Sequence, residues 1–427
     1  MEYEIKDLTL AQYGESMLKL AREEMPGLLS IIQDYAGVNP LAGARIAGCL
    51  HMTSQTALLM ETLVALGAQI RWCSSNRYST QDNAAAAMAK KGYNVFAWHG
   101  ETEQEFEACK TRTLFDGDEW FPNMLLDDGA ELSRFICRHY PHKIGALRGI
   151  SEETTSGVVE LNQLYRSGLL TVPSIVINNS ITKTKFDNIY GCKESLIDAI
   201  KFSTDFMIAG KTATIVGYGD VGKGCAKALS SMGAHIQIVE VDPISALQAC
   251  MEGYRVRTLS DCCRNSHLFV TATGNINVIT LADIRQMKDK VLLCNMGNFN
   301  NEIDMTTLDT LECTALGQNI AEYNLGGNKT VRVLGHGAPA NLSCAKGHPS
   351  FVMSTSFCNQ VFAQIELWNN ASRYPARVNS LPRSLDERVA SLHLSHLGAE
   401  LHRLSEEQAL YMGVSINGPF KPESYRY

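Results

Sequence analysis

The chain runs to 427 residues, 45% apolar and 19% charged, with a formal net charge of -7. That length provides for two or three domains with cores of their own, and that balance excludes a disordered or fibrous chain. A net negative charge with no basic run leaves no footprint for nucleic acid or an anionic membrane. No apolar stretch nears the roughly 20 residues of a membrane span, so the expected partner is a small molecule.

The first residues, MEYEIKDLTL, lack the basic and apolar regions of a secretory signal, which points to the cytoplasm. ARIAGCL, from Ala44, reads as a strand, TSQTALLMETLVALGA as an amphipathic helix ending at Gly67, and QIRWCSS as the next strand. NVFAWHG and NMLLDDGA continue the alternation, which argues an α/β protein with parallel sheets. This first region winds like a nucleotide-binding sheet but has no glycine-rich turn. TVPSIVINNSITKTKFDNIYGCKESLIDAI, with its Pro and polar stretch before a new helix, reads as a crossing between domains. Strands TATIV, HIQIVEV, LFVTATG and VLLCNMG follow, and from Ser350 to about Pro382 the pattern is that of a long helix.

Thirteen scattered cysteines, with no Cys-x-x-Cys pair, read as free thiols in a reducing compartment rather than a disulfide framework. The histidine groups HYPH and HLSHLGAELH read as polar surface, since neither has the carboxylate or thiolate company a metal needs. No catalytic metal is expected.

Gly217, Gly219 and Gly222 form G-x-G-x-x-G between the strand TATIV and a helix, the context that makes this motif specific. Gly217 permits the tight turn, Gly219 lets backbone approach a pyrophosphate, and Gly222 allows close packing, while the helix that Ala226 and Leu229 carry forward offers its positive end to the phosphates, with Asp220 and Val221 expected beside the cofactor. Glu240 closes the next strand, where a carboxylate accepts from ribose hydroxyls and repels a 2'-phosphate. NAD is thus expected rather than NADP.

RIAGCLHMTSQTALLMETL, STQDNAAAAMAKKG, LLDDGAEL, RGISEETTSGV, TKTKFDNIYGCKESLIDAIK, GYGDVGKG, GHPSFVMS and GPFKPESYRY occur in this order. Together they closely resemble the adenosylhomocysteinase (S-adenosylhomocysteine hydrolase) family over nearly the whole chain. The resemblance implies two doubly wound, Rossmann-like domains with parallel sheets and a short C-terminal tail. Residues 1–180 and 349–382 would bind substrate, 190–346 would bind NAD, and 383–427 would form an oligomerisation and cofactor-lid tail. The implied reaction is reversible hydrolysis of S-adenosyl-L-homocysteine to adenosine and L-homocysteine by 3'-oxidation, β-elimination, water addition and re-reduction. A tightly bound NAD would be recycled within each turnover.

What the resemblance implies about residues follows position by position. Lys183 and Asp187 match the pair at the 3'-hydroxyl, where ammonium and carboxylate tune one another. His51 and Asp128 match the groups beside C4' and C5', and Glu153 matches a carboxylate on the ribose. Asn188 and Cys192 match positions near the nicotinamide, with Met296 and Asn341 also on the cofactor. Thr53, Gln55 and His348 match substrate positions, the last two around the adenine. Thr154, Thr155 and Ser156 match cofactor contacts made from the substrate domain. Lys421 and Tyr425 match tail residues that reach a neighbouring protomer's cofactor, which implies a homotetramer.

Taken singly, His51 reads as a half-buried histidine, LLDDG as a strand-end turn and SEET as a helix cap. It is their joint order that gives them roles. Three departures bear on activity. Asn298 stands where the family usually has His, Asn300 where Asp is usual, and GHGAPAN, from Gly335, replaces AEGRLVN, which puts His336 in place of Glu. An amide cannot carry a proton near neutral pH. Three readings remain open at this stage: the hydrolase itself, a relative acting on a related nucleoside by the same chemistry, and an NAD-binding regulatory protein.

Overall fold

The computed structural model describes residues 2–117, 120–425 and 427. Its internal contacts divide the chain into a first unit that ends at Thr184 and resumes as Ser350–Tyr427, and a second unit, Lys185–Pro349.

The first unit is built on strands β1 (Tyr3–Glu4), β2 (Arg45–Cys49), β3 (Gln69–Cys73), β4 (Asn94–Phe96), β5 (Met124–Asp127), β6 (Gly149–Glu152) and β7 (Ser174–Val176). They lie in the order β1-β4-β3-β2-β5-β6-β7, all parallel, with the strand Val378–Ser380 beyond β7. Helices cover both faces of such a sheet, so its strands read as continuous apolar runs; Met124–Asp127 is buried at every position. The helix Ser54–Ala65 starts where the Thr53 hydroxyl accepts from the Thr56 N–H, and Gly67, at φ 102°, ends it. Chain order reverses between β2 and β5, the position at which doubly wound sheets open a crevice above the carboxyl ends of their strands.

The second unit repeats the design with β8 (Thr212–Val216), β9 (His235–Val239), β10 (Arg255–Val256), β11 (Leu268–Thr271), β12 (Val291–Asn295), β13 (Cys313–Gly317), β14 (Ile320–Gly326) and β15 (Lys329–Leu334). The order is β10-β9-β8-β11-β12-β15-β14-β13. Only β14 runs antiparallel to its neighbours. The reversal here falls between β8 and β11.

Three details differ from the sequence reading. The long helix is Ser350–Asn370 and stops before Pro375; the chain then turns and adds the edge strand Val378–Ser380. The segment expected to form a tail from residue 383 starts with a helix, Arg383–Leu394, whose Arg383, Asp386, Val389 and His393 are buried in the first unit. His393 is therefore a core histidine and not surface. Its Nε2 lies 2.8 Å from Ser354 Oγ, its Nδ1 2.7 Å from the Val389 carbonyl, and burial holds its pKa below the usual imidazole value. Polar neighbours in the sequence hid the i, i+4 pair Val389–His393 that faces inward. All thirteen cysteines are free and all but Cys250 and Cys313 are buried. Among the described residues no helix is long and apolar enough to cross a membrane.

Gly48, on β2, has no room for a side chain: an added Cβ would sit 2.2 Å from the Trp72 ring. Gly48→Ala is expected to cost about 1–3 kcal/mol by overpacking and to lower Tm by about 2–10 °C. A thermal melt of purified protein checks this.

Candidate active site

In the first unit the crevice between β2 and β5 is flanked by His51, two residues past β2, and Asp128, one past β5. His51 Nε2 lies 3.3 Å from Asp128 Oδ2, and the two side chains are 16% and 1% exposed. Ser75 Oγ donates to the same carboxylate oxygen at 2.7 Å, while Ser79 Oγ lies 2.7 Å from His51 Nδ1. The imidazole is thus oriented from one edge and faces a carboxylate with the other. Asp128 Oδ1 is buried and has no hydrogen-bond partner among the described residues. A buried carboxylate oxygen left this way is placed to receive a ligand hydroxyl or a water.

Two further carboxylates fix the backbone that carries Asp128. Asp127 accepts from the N–H groups of Leu132 and Ser133 and from the Ser133 hydroxyl; burial still pushes its pKa up to about 6. Glu152, its partner across β5–β6, accepts from the N–H groups of Gly129, Ala130 and Thr154, each at 2.9 Å. Burial, with Asp127 and Asp128 close by, raises the Glu152 pKa well above the carboxylate range. Gly157 is required here, since a Cβ would lie 2.1 Å from the Glu152 carboxyl. The turn holds Ala130 at φ 56°, a left-handed conformation that such a set of bonds can impose.

Glu153, next along, accepts from Gln360 Nε2 at 2.7 Å and from Ser356 Oγ, both on the long helix. Thr154 caps the helix Thr155–Arg166 and its hydroxyl lies 3.1 Å from Ser156 Oγ. Thr155 Oγ accepts from Asn178 Nδ2 at 2.9 Å, and Asn178 Oδ1 accepts from Lys183 Nζ at 3.1 Å. Gln55 Nε2 donates to Ser350 Oγ at 2.9 Å. Thr53, matched to substrate, is also the cap of the helix Ser54–Ala65. Lys421 Nζ sits 4.9 Å from the Tyr425 ring centre, and the Tyr425 carbonyl accepts from Arg383 at 3.2 Å. These first-unit residues fall into separate groups: His51 and Asp128 with Ser75 and Ser79, Glu153 with the long helix, and Thr155, Asn178 and Lys183 in a chain of their own.

In the second unit the glycine turn follows β8. Gly217 has φ 96°, and a Cβ on Gly222 would lie 2.0 Å from the Gly217 carbonyl oxygen, so both positions require glycine. Gly219, the residue before the helix Asp220–Ser231, meets nothing within 4 Å of a built Cβ. The turn therefore opens its backbone at the helix N-terminus, which is the cradle a pyrophosphate needs. Asp220, in the first turn, pairs with Lys185 Nζ at 2.8 Å, and Val221 packs on the unit's core. Glu240 follows β9, its carboxylate held by the N–H groups of Tyr218, Val241 and Asp242 at 2.6, 2.6 and 2.9 Å. Met296 is buried just past β12.

Asp187 and Asn188 open a π-helical turn, Asp187–Gly191, a form that collects at functional sites. Asp187 makes a short contact with His348 Nδ1, and His348 Nε2 lies 3.5 Å from Cys192 Sγ and 2.9 Å from the Asn341 carboxamide. Burial alone would lower the His348 pKa, but the Asp187 carboxylate overcomes it and pushes the imidazole up to about 10. Asn341 Oδ1 is buried without a partner among the described residues, an orphan suited to a carboxamide ligand. The open turn, the oriented Glu240 and this orphan fit NAD.

The departures lie on two loops of the second unit. Asn295 braces the first: its Oδ1 accepts from Gly297 N–H at 2.8 Å and its Nδ2 donates to the Phe299 and Gly337 carbonyls at 2.7 and 2.9 Å. Asn298 and Asn300 are half-buried there, and Asn300 Oδ1 has no partner among the described residues. His336, at φ 52°, is exposed and engaged elsewhere, with Nε2 3.2 Å from Asp309 and Nδ1 3.0 Å from the Tyr323 hydroxyl. Among the described residues no group of three or more His, Cys, Asp or Glu is placed to hold a metal.

Fold and site define an NAD-binding α/β enzyme. Residues 2–143 match the S-adenosyl-L-homocysteine hydrolase family, and residues 188–347 match that family's NAD-binding domain. The chain belongs to this family of hydrolases, whose substrate is a small nucleoside and whose cofactor is NAD. Among solved structures it is similar to a dipicolinate synthase from Bacillus halodurans, at 10% identity and a TM-score of 0.45, covering 77% of this chain and 98% of that one. It is also similar to transhydrogenase from Sinorhizobium meliloti, at 11% identity and a TM-score of 0.38, covering 74% and 90%.

Several residues escaped the sequence reading: Ser75, Ser79, Glu152, Asn178, Ser356 and Gln360. A signal existed for the last two, since Ser356, Gln360 and Gln364 recur every fourth residue and so share one helix face. The Asp187–His348 pair offers a pH test. A raised histidine pKa contributes stability that is complete below about 6.5, the unfolded value, and fades as pH rises through about 10. The Tm deficit of His348→Asn is therefore expected to be largest near pH 6–7 and to shrink toward pH 10, read from melts across that range.

Proposed function

We propose that this chain hydrolyses S-adenosyl-L-homocysteine reversibly to adenosine and L-homocysteine, with its NAD kept tightly bound between turnovers. The observation that carries the reading is the Asp128 carboxylate, bridged to His51 on one oxygen and left open on the other beneath the first switch point. A thioether carbon resists direct attack by water at neutral pH. NAD supplies reversible oxidation at the ribose 3'-carbon, which acidifies the proton at C4' and lets homocysteine leave from C5'.

The chain's own groups do the rest. Lys183, steadied by Asn178, takes the 3'-hydroxyl proton. His51 and Asp128 move the C4' proton and then orient water for C5', a division that an imidazole and a carboxylate 3.3 Å apart support. Glu153, already oriented by Ser356 and Gln360, accepts from the ribose. Asn188, Cys192 and Asn341 border the nicotinamide, and Gln55 and His348 the adenine. Thirteen free thiols suit a reducing cytoplasm. A homotetramer is the proposed assembly, and light scattering at about four chain masses is its check.

A second reading, action on a related nucleoside, draws on the unpartnered Asn300 Oδ1 and on Asn298 in the same loop. One assay separates the readings: purified protein with S-adenosyl-L-homocysteine and no added NAD, followed by thiol release and NADH absorbance. Thiol release over many turnovers is expected, and Lys183→Met should reduce it by about 10²–10⁴-fold. An NADH signal without thiol would favour a different nucleoside, and neither signal would favour a regulatory protein. If Asn298 limits hydrolysis, Asn298→His raises the rate.

A further inference from the structure

Lys183 sits on a helix of only four residues, Ile181–Thr184. So short a helix has no cooperative stability of its own, and its first N–H groups need partners from elsewhere. They find them in Asp386, about two hundred residues on. Asp386 Oδ2 accepts from the Ile181 N–H at 2.7 Å, and Oδ1 accepts from the Thr182 N–H at 2.9 Å and from the Thr182 hydroxyl. The same hydroxyl accepts from Asn359 Nδ2 at 2.8 Å. Asp386 is 5% exposed, and a carboxylate so buried persists only where such donors, or a cation, compensate it.

The cation is Arg383, one turn earlier, with Nη1 3.7 Å from Asp386 Oδ2. Arg383 is in turn gripped by the end of the chain: its backbone N–H donates to Glu423 Oε1 at 2.9 Å and its Nη2 to the Tyr425 carbonyl at 3.2 Å. A continuous set of bonds therefore runs from the C-terminal segment through Arg383 and Asp386 to the turn that carries Lys183.

We propose that Asp386 is a positioning residue for Lys183. The proposal rests on the proton-transfer role of Lys183 under the proposed function. A proton-transfer group displaced by as little as an ångström loses much of its rate advantage while substrate binding elsewhere is kept.

The test uses the full-length NAD-bound protein and two readouts. Asp386→Asn removes the charge and one accepting oxygen; amide exchange at Ile181 and Thr182 should rise by about 5–30-fold, the loss of one helix cap. Thiol release should fall about tenfold in kcat with KM little changed. Asp386→Glu, which keeps both oxygens, should recover part of each effect, and Thr182→Val, which removes the hydroxyl that donates to Asp386, should reproduce both in weaker form. Unchanged exchange at residues 181–182 in Asp386→Asn would overturn the proposal, as would faster exchange spread over the whole first unit or a kcat that does not move. Should Asp386→Asn fail to fold, Thr182→Val carries the same decision. If the wild-type protein releases no thiol, the role of Lys183 fails on its own, and exchange alone then decides whether Asp386 holds the turn.

Discussion

Reversal of strand order in a parallel sheet is the constraint on which the rest of this molecule depends. Crossovers between parallel strands are right-handed, so the connections leaving the two strands at a reversal go to opposite faces and leave their carboxyl ends uncovered. Both sheets contain one such point, β2/β5 in the first unit and β8/β11 in the second. His51 and Asp128 stand at the first, and the turn of Gly217, Gly219 and Gly222 at the second. The imidazole–carboxylate pair and the dinucleotide turn thus use the same topological feature with different residues.

What distinguishes the first point is how its carboxylates are divided. Asp127 and Glu152 spend their oxygens on backbone N–H groups, which fixes the loop; Asp128, on that loop, is bonded through Oδ2 and keeps Oδ1 open. Rigid support behind an incompletely satisfied group is how a folded chain keeps a reactive atom in place without collapsing onto it. The second unit uses the same device at Asn341, whose Oδ1 is an orphan beside a fully engaged His348.

The glycine turn was readable because its three roles are local: a left-handed residue, an open backbone and a close packing contact within six positions. The α/β character with parallel sheets followed from the alternation of apolar runs with helix-period segments, whereas strand order and the reversal became visible only in the fold. His51 and Asp128, by contrast, are 77 positions apart, and nothing in either stretch alone distinguishes a proton-transfer pair from a turn and a half-buried imidazole. Resemblance brought them together, and the 3.3 Å approach gives that pairing a geometry. Asp386 left no trace of any kind. Beside Arg383 at i, i+3 it reads as a surface ion pair, and only the fold turns it toward the first residues of a distant helix. His393 misled for the related reason that polar flanks conceal an inward face.

As proposed, NAD serves as a resident part of the catalyst and is not consumed. Substrate carrying deuterium at the ribose 3'-carbon, turned over by the purified protein in the presence of excess unlabelled NAD, tests it directly. Adenosine that retains deuterium at C3', with no NADH accumulating alongside product, is the expected result. Adenosine without the label, or NADH formed in step with each product molecule, would contradict it.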